Sequence, residues 1–173
     1  LSIGVISDAT PLITLLKADE LDILNKLFGE VLVPEAVYSE VTTNENFNNE
    51  AELIRNSDFI KVVKVDSINQ VELLRRATGL DLGESEAIIY ADESKADLLL
   101  IDEVAGRRVA QNMNLPVAGS IGILIKAFKA GLLTVKEADD AFYRIRNSNR
   151  HISEKLIDDA LDIIHSRSIS ENK

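Results

Sequence analysis

Short apolar runs without polar alternation recur along the sequence and are separated by segments with helical spacing. Strands have such continuous apolar runs when a parallel sheet is covered by helices on both faces. We predict four such strands, at residues 3–6, 31–33, 97–101 and 115–118, and an edge strand at 59–65, where polar residues partly alternate. Strands that alternate with helices predict an α/β domain of three layers, α/β/α, with a mostly parallel central sheet.

Helices are predicted from apolar spacing and from end signals. Ser67 with Gln70 and Thr134 with Glu137 have the spacing of a capping box, and Pro34 is expected at the first position of a helix. Residues 42–49 are the clearest predicted loop. The predicted helices are 11–17, 20–28, 34–41, 67–76, 83–94, 104–112, 120–129, 134–146 and 153–164.

A length of 173 residues fits one domain. We expect that domain to span residues 1–165, with a helical C-terminal extension from about residue 132 to residue 165. The polar tail, residues 166–173, is expected to be disordered.

Composition excludes several classes of function. The chain has no cysteine, which rules out disulfides and thiolate metal sites and is compatible with a reducing cytoplasm, the expected location. No apolar run reaches the roughly 18 residues that a membrane span needs, and the first residues lack the basic region of a signal peptide. No glycine-rich nucleotide motif is present. His151 and His165 are expected to serve surface or local packing.

The net charge of -10 limits how this chain could meet nucleic acid. An acidic protein repels phosphate overall, so a nucleic-acid role requires local basic patches or cations between its carboxylates and the phosphate.

Two aspartates follow predicted strands directly: Asp8 after the first and Asp102 after the third. Ligands of open parallel sheets bind at the carboxyl ends of the strands, so both carboxylates are expected at one edge of the sheet. Aspartate is also a favoured helix N-cap, and a capping role is an equally good interpretation of each residue alone.

Further acids come from helix ends. Gly83 is expected to let the chain turn tightly into a helix whose first turn holds Glu84 and Glu86. First-turn acids also offset the helix dipole, Asp81 and Glu84 have capping-box spacing, and Glu86 could point away from Glu84. Glu40 lies near a helix C-terminus, where an acid is electrostatically unfavourable, which suggests a compensating role; the alternative is a solvated surface residue.

Clustered carboxylates suit one kind of chemistry. Mg²⁺ and Mn²⁺ prefer hard oxygen ligands, and a pair of such ions can activate water and stabilise the leaving oxygen of a phosphodiester. Without a cation, neighbouring carboxylates raise one another's pKa and lower stability. A converging set of these acids therefore predicts a divalent metal site.

Four segments, in this order, resemble the motifs of the PIN-domain nucleases: 5–13 (VISDATPLI), 33–41 (VPEAVYSEV), 80–88 (LDLGESEAI) and 99–108 (LLIDEVAGRR). Segments 117–124 and 152–156 further resemble a prokaryotic branch of nucleic-acid-binding PIN-like proteins related to the VapC-type toxins. The resemblance covers roughly residues 1–165.

The resemblance implies Mg²⁺- or Mn²⁺-dependent endoribonuclease activity on single-stranded RNA. It assigns catalysis and metal binding to Asp8, Glu40, Glu84 and Asp102, with Glu86 and Glu103 as additional candidates. It assigns substrate binding to Thr10, Ser120, Arg107 and Arg108; the alternative for the two arginines is a solvated helix face. Further basic residues that would extend the RNA track are Lys126, Lys129, Arg144, Arg146 and Arg150.

The resemblance further implies a homodimer and the toxin role of a toxin–antitoxin pair, with a cognate antitoxin as partner. Two departures bear on this: Glu84 stands where VapC-type sequences commonly have aspartate, with Asp81 as a competitor, and the chain continues beyond Gly131. The alternative function is a catalytically inactive PIN scaffold that binds nucleic acid or a protein partner. A receiver-type signalling domain is disfavoured because residues 115–120 lack the lysine that its last strand requires.

Overall fold

A computed structural model of the chain describes residues 4–43, 48–150 and 152–171. Its five-stranded sheet has the order β3-β2-β1-β4-β5, and all four strand pairs in this described part are parallel. The strands are β1 (Val5–Ser7), β2 (Val31–Pro34), β3 (Ile60–Val63), β4 (Leu98–Leu100) and β5 (Val117–Ala118). The predicted three-layer α/β/α class is confirmed, and the partly alternating strand β3 lies at a sheet edge as expected.

Ten helices connect and flank these strands within the described residues. They are α1 (Ala9–Lys17), α2 (Ile23–Phe28), α3 (Glu35–Thr43), α4 (Asn48–Arg55), α5 (Ile68–Thr78), α6 (Leu82–Glu93), α7 (Val104–Asn112), α8 (Ser120–Lys129), α9 (Val135–Arg146) and α10 (Glu154–Glu171). None of these helices combines the length and apolar character needed to cross a membrane.

Successive strand residues enter different cores, which explains the unalternated apolar runs. Val5 and Leu100 belong to the larger core, whereas Ile6 and Leu99 belong to the smaller core on the opposite face of the sheet. Helices α1, α8, α9 and α10 cover the larger core, and α6 and α7 cover the smaller one.

The strand order places a topological switch at β1. The chain moves from β1 to β2 and β3 on one side, and then returns to place β4 and β5 on the other. In such sheets the crevice for a ligand forms outside the carboxyl ends of the strands that flank the switch. Asp8 follows β1 and Asp102 lies just beyond β4, so the topology brings both to this edge.

The helices after Gly131 belong to the body of the domain. Phe142, Ile157 and Ile164 are buried in the larger core, and α10 packs on both α8 and α9. Thr134 and Glu137 form the predicted capping box at the start of α9. Helix α10 continues to Glu171 and so includes most of the polar segment 166–173 that was expected to be disordered.

Some local predictions differ from the structure. The predicted loop 42–49 is helical at both ends: residues 42–43 belong to α3 and residues 48–49 begin α4, whose other residues were given to no element. Residues 44–47 lie outside the described residues. Pro34 is the last residue of β2, opposite Val63, and α3 begins one residue later. Ser67 makes no capping bond; its hydroxyl donates to Glu93 instead. His151 also lies outside the described residues.

Candidate active site

Asp8 is a buried acid at the carboxyl end of β1. Its side chain is 2% exposed, and its backbone N–H donates to the Leu100 carbonyl at 2.9 Å. Although Asp8 is the N-cap residue of α1, its carboxylate makes no capping hydrogen bond, so the structure gives no support to the capping interpretation. Burial raises the pKa of Asp8 to about 8; the adjacent Ala9 N–H opposes this rise, and Glu84 adds to it.

An open pocket lies above Asp8 at the carboxyl edge of the sheet. Its walls come from elements far apart in sequence: the β1–α1 junction, α3, the end of α5, the start of α6, the start of α7 and the segment after α9. The polar side chains that line it are Asp8, Thr10, Glu40, Thr78, Asp81, Glu84, Glu103 and Arg150. Three of the four expected metal ligands, Asp8, Glu40 and Glu84, thus face one pocket.

Glu84 has both roles that the sequence analysis gave as alternatives: it takes part in a capping box, and it lines the acidic pocket. Its side chain accepts a hydrogen bond from the Asp81 N–H at 3.2 Å, and its own N–H donates to Asp81 Oδ1 at 2.8 Å, which completes a capping box. The same side chain lines the pocket. Burial is the main cause that raises the pKa of Glu84, with contributions from the charges of Asp81, Glu103 and Glu40.

Gly83 brings two helices together rather than making a turn. It lies inside α6, and a Cβ at this position would be 3.3 Å from both Glu40 Oε2 and Val37 Cγ2. The expectation of a glycine turn was therefore wrong, because glycine is needed here for the close approach of α3. That approach places Glu40, on an exposed position of α3, beside the start of α6. Burial raises the pKa of Glu40, and Asp81 raises it further.

Asp102 lies beside the pocket and is fixed by the start of α8. Its Oδ1 accepts from the Ser120 N–H at 2.7 Å, and the Ser120 hydroxyl donates to its Oδ2 at 2.9 Å. A Cβ on Gly119 would be 2.8 Å from both Asp102 Oδ1 and Arg107 Nη1, so this junction requires glycine. Asp102 does not cap α7, whose N-cap is Glu103, and it does not line the pocket.

The remaining predicted site residues fall into two groups. Thr10 and Glu103 line the pocket. Glu86 does not; its carboxylate accepts from the Ala36 N–H at 3.0 Å and ties α6 to α3. Arg107 donates to the Ile101 carbonyl at 3.2 Å, next to Asp102, whereas Arg108 is exposed on α7.

The basic residues expected to form an RNA track are dispersed. Lys126 and Lys129 line a separate groove, and Arg144 donates to the Ala18 carbonyl. Arg146 forms ion pairs with Glu154 and Asp158. Arg150 alone among these five residues reaches the acidic pocket. The sequence offered no signal that separated it from its neighbours, because the path of the chain after α9 decides its position.

The donor set of the pocket suits a hard divalent cation. All of its acidic groups offer carboxylate oxygens. The charges of Glu84 and Glu40 add to the rise in the pKa of Asp8, and the charge of Glu40 adds to the rise in the pKa of Glu84. A cation between them would remove this repulsion. As the side chains stand in the described part of the chain, no group of three or more acidic or histidine residues meets closely enough to hold a metal ion.

The protein has an α/β/α fold with an acidic pocket at the carboxyl edge of its parallel sheet. The sequence model of the PIN domain matches residues 4–166, which is nearly the whole chain. The chain belongs to the PIN-domain family, and the family predicted from the four motifs is confirmed. No curated protein matches the chain.

Gly106, on α7, is another glycine at which a side chain would meet close neighbours. A Cβ there would lie 2.5 Å from Ile101 Cδ1 and 3.0 Å from Glu84 Oε1. Ile101 is fully buried, so Gly106→Ala is expected to destabilise the protein by about 1–3 kcal/mol through overpacking, as measured by urea unfolding.

The matched control for this change is Gly122→Ala on α8, where a Cβ would have nothing within 4 Å. Because alanine is the better helix former, this control should stabilise the protein by up to about 1 kcal/mol. Equal effects of the two substitutions would contradict the assigned contact between Gly106 and Ile101.

Proposed function

We propose that this protein is a Mg²⁺- or Mn²⁺-dependent endoribonuclease that hydrolyses phosphodiesters of single-stranded RNA. One observation carries the proposal: in a PIN-family chain, Asp8, Glu40 and Glu84, which are distant in sequence, line a single pocket at the carboxyl edge of the sheet. This is the edge at which open parallel sheets bind their ligands.

The proposed metal ligands are Asp8, Glu40, Glu84 and Asp102. A divalent ion held there would supply an activated water and stabilise the leaving oxygen. The contributions of the chain itself are positional. The Ser120 hydroxyl and N–H fix the Asp102 carboxylate, the capping box with Asp81 fixes Glu84, and Thr10 offers a hydroxyl within the pocket to water or phosphate.

Charge determines when RNA can approach. The net charge of -10 and the five acids that line the pocket repel a phosphate backbone. Divalent cations between carboxylates and phosphate reverse the sign of this interaction. The proposed reaction therefore depends on metal for both binding and chemistry.

The test is cleavage of a labelled single-stranded RNA by purified protein with Mg²⁺ or Mn²⁺, with and without EDTA. We expect cleavage with either metal, arrest by EDTA and recovery when metal is restored in excess. A duplex of the same RNA serves as the substrate control and should be cleaved more slowly. Cleavage that persists in EDTA would contradict the proposed mechanism.

A PIN scaffold that binds RNA or a protein partner without catalysis is the second candidate. It is favoured by the absence of any metal-holding group of three acids among the described side chains as they stand. The same assay separates the two candidates, because the scaffold would shift RNA in a gel while leaving it intact at every metal concentration.

The toxin role, a cognate antitoxin, a homodimeric state and action in the cytoplasm extend the proposal. They rest on the resemblance of segments 117–124 and 152–156 to the VapC-related branch and on a chain without cysteine. They stay predictions.

A further inference from the structure

Arg150 supplies a positive charge to the wall of the acidic pocket. It follows α9, in the C-terminal part of the chain, and lines the pocket together with Asp8, Glu40 and Glu84. It is the only arginine or lysine among the described residues that line this pocket. The pocket therefore has five acids and one basic side chain on its walls.

No side-chain hydrogen bond or ion pair found among the described residues explains the position of Arg150. Its Nε atom is buried without a hydrogen bond among the described residues, and none of the ion pairs found in that part of the chain includes it. Arg144 and Arg146, on the preceding helix, both have partners. Since a buried donor without an acceptor is unfavourable, the position of the Arg150 guanidinium indicates an acceptor that the protein itself does not provide.

Ion pairing with the acids does not account for the position of Arg150, because none of the ion pairs found among the described residues joins it to an acid of the pocket. A guanidinium presents a planar fork of N–H donors that matches two oxygens of a phosphate, and it keeps its charge at every physiological pH. A phosphate at the pocket would supply the missing acceptor.

We propose that Arg150 binds a backbone phosphate of the RNA strand that enters the acidic pocket. The choice of RNA as the source of that phosphate rests on the proposed function; the phosphate contact itself rests on the placement of Arg150. Arg150 would position the strand against the acids of the pocket, with no role in proton transfer.

The test measures binding of a hydrolysis-resistant analogue of a single-stranded RNA as a function of salt, with Asp8 intact and Mg²⁺ present. Each phosphate contact of a single strand contributes about 0.7 to the slope of log affinity against log salt. Arg150→Gln should reduce this slope by about 0.7 and weaken binding about 10-fold or more. Arg150→Lys should restore the slope, because the charge returns, without the full affinity, because the planar fork does not.

Arg146→Gln is the matched control. It removes an arginine four positions earlier whose partners are Glu154 and Asp158, so the salt slope should stay unchanged. Unfolding midpoints of all variants establish that each is folded. In the cleavage assay with unmodified RNA, Arg150→Gln should lower kcat/KM by about 10-fold or more, and Arg146→Gln by less than about twofold.

The outcomes separate the two proposals. A slope unchanged by Arg150→Gln overturns the phosphate contact, even if the wild-type protein cleaves RNA. A reduced slope in a protein that never cleaves RNA supports the contact and overturns the nuclease proposal. Absence of RNA binding by every variant overturns both.

Discussion

Asp8→Asn is expected to reduce metal-dependent RNA cleavage by at least about a thousandfold. Asparagine preserves the size of the side chain but loses the negative charge and one carboxylate oxygen, so the most buried acid of the pocket no longer binds the cation. Metal activation contributes several kcal/mol to a phosphodiester reaction, and a loss of about 4 kcal/mol corresponds to about a thousandfold in rate. The measurement is kcat/KM at saturating Mg²⁺.

The control for this substitution is Asp97→Asn. Asp97 precedes β4 at the opposite edge of the sheet, where its Oδ2 accepts from the Gly4 N–H at 2.7 Å. An asparagine side chain can still accept that bond, so cleavage should stay within about twofold of the wild-type rate. If the Asp8→Asn variant kept more than a tenth of the wild-type activity, the role of Asp8 as a metal ligand would be overturned.

Ser120→Ala is expected to weaken metal binding to an intermediate degree, and titration of the protein with Mg²⁺ or Mn²⁺ measures this effect. The result tests how Asp102 contributes. The hydroxyl and N–H of Ser120 hold both oxygens of Asp102, although Asp102 does not line the pocket. Groups that orient a ligand typically change metal affinity by about 10–100-fold when they are removed. The alanine variant of Ser120 retains the N–H contact, so its loss of affinity should fall near the lower end of that range.

The sequence predicts most of this fold because its strong signals are local. Helices α7 and α8 have the predicted bounds, 104–112 and 120–129, because apolar spacing and end residues agree there. The apolar runs of β1 and β4 are continuous because successive residues enter two different cores. The order β3-β2-β1-β4-β5 depends on pairing between distant segments and was not predicted.

The missed elements have weak or misleading local signals. Helix α4 buries few apolar residues, chiefly Ala51 and Ile54, so its sequence lacks a long apolar stripe. Ser67 has the spacing of a capping box, but a nearby acceptor, Glu93, takes its hydroxyl instead. In both cases contacts with distant parts of the chain decide the result.

The candidate site could be predicted in part for a physical reason. Parallel strands bring their carboxyl ends to one edge, so Asp8 after β1 could be expected near other acids of that edge. The reason for Gly83 could not be predicted, because it depends on how closely α3 approaches α6. The position of Arg150 could not be predicted either, since its place in the pocket depends on the return of the chain after α9.

The same Asp8→Asn substitution is expected to increase the stability of the metal-free protein near neutral pH. Burial raises the pKa of Asp8 to about 8 in the folded protein, from an ordinary value of 3.8. Between these two values the folded state holds a proton that the unfolded state releases, so wild-type stability falls as the pH rises through this window. The full stabilising effect of protonation is present below pH 3.8 and is lost by about pH 8.

An asparagine at this position has no such loss, so the difference in unfolding free energy between variant and wild type should grow as the pH rises. The growth is at most about 1.4 kcal/mol per pH unit and should reach a few kcal/mol at pH 7. Urea unfolding in EDTA at several pH values between 5 and 8 measures it. Asp8 is not among the causes that raise the pKa of Glu40 and Glu84, so the substitution should leave both shifts in place and the comparison isolates Asp8.

Unfolding in the presence of divalent metal is the second condition of this experiment, because a bound cation should offset the instability caused by ionised Asp8. A cation that binds only the folded protein stabilises it by mass action, by about 2.7 kcal/mol at a hundredfold excess over Kd. Saturating Mg²⁺ should therefore stabilise the wild type, flatten its dependence on pH, and have little effect on Asp8→Asn. If the two proteins kept the same difference in stability at every pH without metal, the burial of an ionisable Asp8 beside other acids would not be the source of the instability. A substitution that removes activity yet raises stability would indicate that the fold tolerates this buried acid for its function rather than for its structure.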